Sequence, residues 1–292
     1  MMPGKDASLI HDGGRHALRQ TRDGLLLYHT RDQFVGHSIA ELGEFSKREG
    51  DFLKGNLNPG DTVIEVGANL GSLTVGMAKT VGPQGRVHAF EPQRAMFELL
   101  CANAALNDLD QIRPWHLAVD AVPGTLRVPT TDYEGSANFG GIAMSRDTGS
   151  GEAVPAITLD EHLAEESWTS RGLRLLKIDV EGMELEVLRG ARGLIERFQP
   201  LIYAENDRKE NSPALIEWLF GADYRVYWHK VPYFTDDNFY GCERDPFVEM
   251  TGTHLLSVNI VCVPKHGMIE GAEASRVHSA MDWWSDPKPG SS

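Results

Sequence analysis

From residue 62 to residue 263, short apolar runs alternate with longer stretches whose apolar positions recur every three or four residues. The runs TVIEV (62–66), RVHAFE (86–91), IRPWHLAV (112–119), LRLLKID (173–179), PLIYAE (200–205), YRVYWH (224–229) and LLSVNIVCV (255–263) predict strands, although Pro114 weakens the third. The stretches between them predict helices: one ending near Val81, one over 96–106, a helix or helix pair over 183–198, and one over 212–221. Strands alternating with helices build βαβ units and a parallel sheet.

Other segments break this rhythm. Residues 1–22 are polar and Gly-containing and are expected to be poorly ordered. The runs LLLYHT and FVGHSIAEL, which both begin within 24–40, predict one or two strands, and 43–57 predicts a helix that ends at the turn Asn58-Pro59-Gly60-Asp61. Residues 121–157, rich in Gly, Ser, Thr and Asp, predict a hairpin or insertion over the sheet edge. Residues 230–252 predict a long aromatic loop, and the polar tail from Lys265 onward is expected to end in disorder. Nothing in the sequence says where Trp283 and Trp284 dock. The division that follows is an N-terminal extension over 1–57, a main domain over 58–264 and a tail over 265–292.

Composition narrows the class. With 41% apolar and 24% charged residues among 292, the chain reads as globular and long enough for a sizeable core. It has no run of about 18 apolar residues, so no transmembrane helix is expected. A polar N-terminus predicts no secretory signal. A formal charge of −14 repels phosphate backbones and speaks against nucleic-acid binding. Cys101, Cys242 and Cys262 are odd in number, far apart and without C-x-x-C spacing; they predict reduced thiols in a cytoplasmic protein, with no disulfide framework or zinc site.

The first strand and its turn read Val63-Ile-Glu-Val-Gly-Ala-Asn-Leu-Gly-Ser-Leu-Thr74. Glu65 lies inside an apolar strand, where a carboxylate is costly unless something pairs with it; a ligand ammonium is one such partner. Gly67 and Gly71 allow a tight turn and close approach of a ligand, and the next helix aims its free N–H groups at the same place. Glu91 follows Gly71 by twenty residues, where an acid meets ribose hydroxyls, and Pro92 and Gln93 leave the strand beside it. A dinucleotide loop wants G-x-G-x-x-G; Asn69 replaces its middle glycine and Ser72 its last, so the loop fits a nucleoside without a diphosphate.

VIEVGANLGSLT, VHAFEP and LLKIDVEGMELEVLRGA, in this order and spacing, resemble the FkbM family of class I methyltransferases over roughly residues 44–206. The resemblance implies a Rossmann-like α/β fold: a seven-stranded, mostly parallel sheet with helices on both faces and S-adenosylmethionine across the carboxyl ends of its strands. It implies that Gly67, Asn69 and Gly71 line the methionine end, that Glu91 holds the ribose, and that the region near Ala118 flanks the adenine. It also implies O-methylation of hydroxyls on sugars, polyketides and related metabolites. The family's first-strand acid is commonly Asp, so Glu65 departs from it.

A hydroxyl needs a general base or a metal to attack a methyl group at neutral pH. The acids gather at strand ends: Asp179, Glu181 and Glu184 after the fourth strand, Glu205, Asn206 and Asp207 after the fifth. In a parallel sheet these ends face one crevice. Asp179 is the first candidate, for catalysis and cofactor alike, with Glu205 beside it and His229 and Tyr233 as further candidates for the base or for substrate contact. Asp179, Glu205 and Asn206 together offer hard oxygen ligands for Mg²⁺, an arrangement similar to that of magnesium-dependent methyltransferases. Glu184 is expected to charge a helical first turn, and Lys177 to form a buried structural ion pair. Tyr227, Trp228, Tyr233, Phe234, Phe239 and Tyr240 offer aromatic faces for an acceptor, with Ser136, Asn138 and Phe139 as an opposite wall and His37, Glu41 and Glu44 closing over the cofactor. The reading is a small-molecule O-methyltransferase that binds neither nucleic acid nor membrane, with a symmetric dimer as the default. Its rivals are an NAD-dependent oxidoreductase and a non-catalytic binding module on the same fold.

Overall fold

The computed structural model describes residues 4–144, 150–267 and 275–286. Seven strands form the main sheet: β1 (Thr62–Val66), β2 (Arg86–Phe90), β3 (Ile112–Trp115), β4 (Leu173–Ile178), β5 (Leu201–Glu205), β6 (Tyr224–Pro232) and β7 (Leu256–Pro264). Their order is β6-β7-β5-β4-β1-β2-β3. Neighbours from β3 to β5 pair in parallel, and β7 runs antiparallel to both β5 and β6. The strands at the centre are buried on both faces, so their sequences read as unbroken apolar runs.

Alternate residues feed two cores. Val63, Val87, Leu175 and Tyr203 face the helices Lys47–Gly55, Thr74–Val81 and Arg94–Leu106; Ile64, Leu176, Ile202 and Ile260 face Glu184–Gly190, Arg192–Phe198 and Ser212–Gly221. Glu65 and Lys177 fall on the first of these faces and stand opposite each other in register between β1 and β4. Among the described residues no helix is long and apolar enough to cross a membrane.

The N-terminal extension departs from its sequence reading in two ways. The expected disorder of residues 1–22 is replaced, among those described, by the strands Leu9–Asp12 and His16–Gln20, which form an antiparallel sheet with Leu25–His29. Two asparagines hold this sheet on the main domain: Asn103 bonds both backbone polar groups of Leu27, and Asn107 those of Leu25. The run FVGHSIAEL is not a strand but the helix Val35–Leu42. Val35, Ile39 and Leu42 share its buried face, and the Asp32 carboxylate accepts hydrogen bonds from Phe34 and Gly36 N–H at its start.

The expected third strand divides. After β3, Ala118–Val119 leaves the main sheet and pairs with Glu152–Ile157, which in turn pairs with Gly124–Val128. This small sheet is the insertion predicted over the edge. The aromatic loop is shorter than its sequence suggests, because β6 continues to Pro232 and Pro246–Thr251 is helical. Trp283 packs against Trp228 with ring centroids 5.6 Å apart, so the tail docks on β6; the disorder expected at its extreme end lies outside the described residues.

Candidate active site

The carboxyl ends of β1, β2, β4 and β5 open on a crevice of about 860 Å³, its mouth included. The turn after β1 forms its floor. Gly67 has φ +84° and sits so close to β4 that a Cβ would lie 1.8 Å from the Asp179 carbonyl oxygen. The glycine is therefore demanded by the neighbouring strand as well as by the turn. Asn69, at φ +51°, turns its N–H toward the Glu91 carboxylate, 2.8 Å away.

Glu91 uses both oxygens in this way: the second accepts from Gln93 N–H at 2.7 Å. Burial pushes its carboxyl up to about 7, against the pull of those two amides. Gln93 reaches across the crevice, donating to the Phe139 carbonyl at 2.8 Å and accepting from the Tyr133 hydroxyl at 2.5 Å. It thereby ties the segment 133–141 over the opening. Beyond Glu91 and Pro92 lies a second compartment walled by Val128, Ile142 and Met144 of the insertion. Apolar walls beside a carboxylate suit a purine with its ribose.

At the other end the crevice runs deep. Glu65 is 1% exposed; it accepts from the Thr74 hydroxyl at 2.5 Å and lies 3.7 Å from Lys177 Nζ. Lys177 also contacts Asp179 at 3.3 Å, and the three acids Asp179, Glu65 and Glu49 overcome its burial and raise its pKa. Burial leaves the Glu65 carboxyl above its ordinary range despite Lys177. Lys177 is thus in the buried ion pair expected of it, and it also lines the crevice.

Above them, carboxylate oxygens of Asp179, Glu181 and Glu205 lie within 4.8 Å of one another. Arg208 bonds Glu181 at 2.5 Å, while Glu205 Oε2 is buried without a hydrogen-bond partner. Burial, then Asp179, raises the Glu205 carboxyl well above its usual range. Glu184 turns away, accepting from Gly182 N–H at 3.0 Å at the start of its own helix.

Several sequence candidates lie outside the crevice. Gly71 does not line it; its φ of +87° and the Leu100 side chain, 2.8 Å from where a Cβ would stand, account for the glycine, and Ser72 takes its place at the wall. Ala118 is buried within the insertion sheet, packed with Leu126 and Val154, because the chain leaves the main sheet there. His229 sits within β6, three residues before its end, and bonds Tyr203 at 3.0 Å under Phe52. Asn206 is buried, its amide donating to Ser212 at 2.9 Å, so Glu181 replaces it in the acid group. His37 packs on Phe247, Glu41 pairs with Lys5 and Glu44 with Arg22, so none of the three closes the site.

Of the aromatic residues proposed for the acceptor, Tyr233 lines the crevice; Tyr227 is core, Trp228 meets the tail, and Tyr240 bonds the N-terminal sheet. Asn138 and Phe139 form the opposite wall, whereas the Ser136 hydroxyl faces the Arg31 carbonyl. Sequence reading missed Phe34, Phe45 and, above all, Glu49 of the helix Lys47–Gly55. Ser46 and Glu49 have capping-box spacing, which marks a helix start but gives no hint of burial.

This strand order, with one antiparallel strand and a ligand crevice at the carboxyl ends, defines a class I methyltransferase fold. The chain belongs to the FkbM methyltransferase family: the model of the methyltransferase FkbM domain matches residues 65–226, more than half of its length. Methyltransferase sdnD of Sordaria araneosa is 30% identical over 163 residues, which is 46% of this chain and 62% of that protein. The match therefore spans under two thirds of the relative. Among solved structures, methyltransferase FkbM of Methylobacillus flagellatus KT aligns at TM-score 0.43 and 15% identity over 70% of this chain and 44% of that one. Aeropyrum pernix fibrillarin with bound S-adenosyl-L-methionine aligns at TM-score 0.43 and 15% identity over 88% and 98%. At these scores neither likeness carries an inference.

Proposed function

We propose that this chain binds S-adenosylmethionine in the crevice and transfers its methyl group to a hydroxyl oxygen of a small molecule. The observation that carries this reading is the placement of Glu65, the Gly67–Asn69 turn and Glu91 around one opening, with an apolar compartment past Glu91. When bound, the sulfonium supplies an electrophilic methyl carbon and leaves as a neutral thioether. The acceptor oxygen forms the new C–O bond as the C–S bond breaks. Its proton passes to Asp179, whose side chain is 38% exposed at the crevice and can exchange it with water. Burial and the neighbouring Asp179 raise the Glu205 carboxyl, which favours its protonated form, and in that form it orients the acceptor as a hydrogen-bond donor. Six acids and one lysine line the crevice, which disfavours acceptors that carry phosphate or carboxylate groups.

The test is transfer of isotope-labelled methyl from S-adenosylmethionine to a panel of sugars, glycosides and polyketides, with the product's methyl position read by NMR. An O-methyl product supports the reading; an N- or C-methyl product overturns the oxygen assignment. A second reading places Mg²⁺ on Asp179, Glu181 and Glu205, which cluster closely enough. Lys177 and Arg208 already neutralise two of these acids, and that favours the metal-free form. Turnover that survives EDTA supports it, and turnover restored only by Mg²⁺ supports the metal.

A further inference from the structure

Glu49 reaches the crevice from outside the family-matched span, on a helix of the N-terminal extension. It is 3% exposed. Its Oε2 accepts from the Ser46 hydroxyl at 2.8 Å, while its Oε1 is buried and without a hydrogen-bond partner. A buried carboxylate oxygen with nothing to accept from is costly, and this one belongs to a residue of the crevice wall. Lys177 stands at the same deep end. An ammonium carries three N–H donors; Asp179 takes up one at 3.3 Å, Glu65 stands at an ion-pair distance of 3.7 Å, and a donor remains for a ligand acceptor.

A buried carboxyl with an oxygen to spare and an ammonium with a donor to spare, both at the deep end, make a receptor for a zwitterion. We infer that Glu49 receives the α-ammonium and Lys177 the α-carboxylate of the cofactor's methionine end, and that the N-terminal extension thereby completes the cofactor site. The assignment rests on the S-adenosylmethionine reading above. It gives Glu65 a different task from that of ammonium partner: it is occupied by Thr74 and Lys177, and it holds the Lys177 head group in place. Glu49 and Lys177 then select for an intact amino-acid end over the bare nucleoside thioether.

Calorimetric titration of the full chain with four ligands tests this: S-adenosylhomocysteine, its deaminated and decarboxylated analogues, and 5′-methylthioadenosine, which lacks both charges. Glu49→Gln is expected to weaken S-adenosylhomocysteine and the decarboxylated analogue by about tenfold or more, the loss of a charge-assisted bond, and to leave the other two unchanged. The charge-balanced pair Lys177→Gln with Glu65→Gln is expected to weaken the two ligands that keep the carboxylate. Equal losses for all four ligands, or no loss for S-adenosylhomocysteine, overturn the assignment. If the wild-type chain binds none of the four, the cofactor reading itself fails, a different outcome from a wild-type chain that binds and a variant that does not discriminate.

Discussion

Lys177 Nζ lies 3.7 Å from Glu65 Oε1 across neighbouring central strands, with the two side chains 3% and 1% exposed. Burying two ions costs several kcal/mol each before their attraction returns part of it, whereas one buried Leu or Ile contributes about 1.5–3 kcal/mol. Such a pair is a poor device for stability alone, and its position at a crevice points to function. Lys177→Met leaves Glu65 and Glu49 without their cation. Chemical denaturation is expected to show a loss of about 3–5 kcal/mol. A loss under 1 kcal/mol means that the acids are solvated or already neutral.

Gly67 has no room for a methyl group. Gly67→Ala would place a Cβ 1.8 Å from the Asp179 carbonyl at a positive φ, so β1 and β4 must separate. A destabilisation above about 3 kcal/mol is expected, or failure to fold, because backbone clash and left-handed strain act together. An alanine variant with wild-type melting temperature contradicts this close approach.

The Glu49 carboxyl is pushed up to about 7, chiefly by burial, with Lys177 acting against the shift. In the folded chain it keeps its proton to higher pH than in the unfolded chain. Its contribution to stability is thus present below its ordinary value and lost as pH rises toward 7. Glu49→Gln lacks this loss. The variant's stability relative to wild type is therefore expected to improve from pH 5 to pH 8, by on the order of 2–3 kcal/mol. Urea titrations of both proteins at the two pH values check this; a difference independent of pH removes the buried, ionising Glu49.

Asp179 and Glu205 share one acid group but differ in environment. Glu205→Gln keeps a hydrogen-bonding group of the same shape and is expected to retain turnover within about threefold, while Asp179→Asn removes the base and is expected to lower kcat by about a hundredfold or more. Steady-state kinetics on the acceptor found by methyl transfer decides between them. The reverse ranking exchanges their roles.

The sheet was legible because a parallel strand buried on both faces leaves a run of β-branched and apolar residues, and Glu65 and Lys177 stand out inside such runs. Glu49 was not legible. It sits in the charged stretch KREGD, which has the composition of solvated surface, and only docking of the extension buries it. The helix Val35–Leu42 was hidden by Gly36, His37 and Ser38; Gly36 is there because a Cβ would meet the His29 carbonyl at 2.4 Å. His229 and Ala118 were misplaced by strand ends: β6 runs on past the first, and the chain changes sheets before the second.

The cofactor is the central claim, and calorimetric titration with S-adenosylhomocysteine and then NAD, each with and without Mg²⁺, tests it most directly. Saturable one-to-one binding of S-adenosylhomocysteine, unchanged by Mg²⁺ and with no response to NAD, is the predicted result. Binding of NAD alone, or of neither ligand, would contradict the account and return the chain to an oxidoreductase or a binding module.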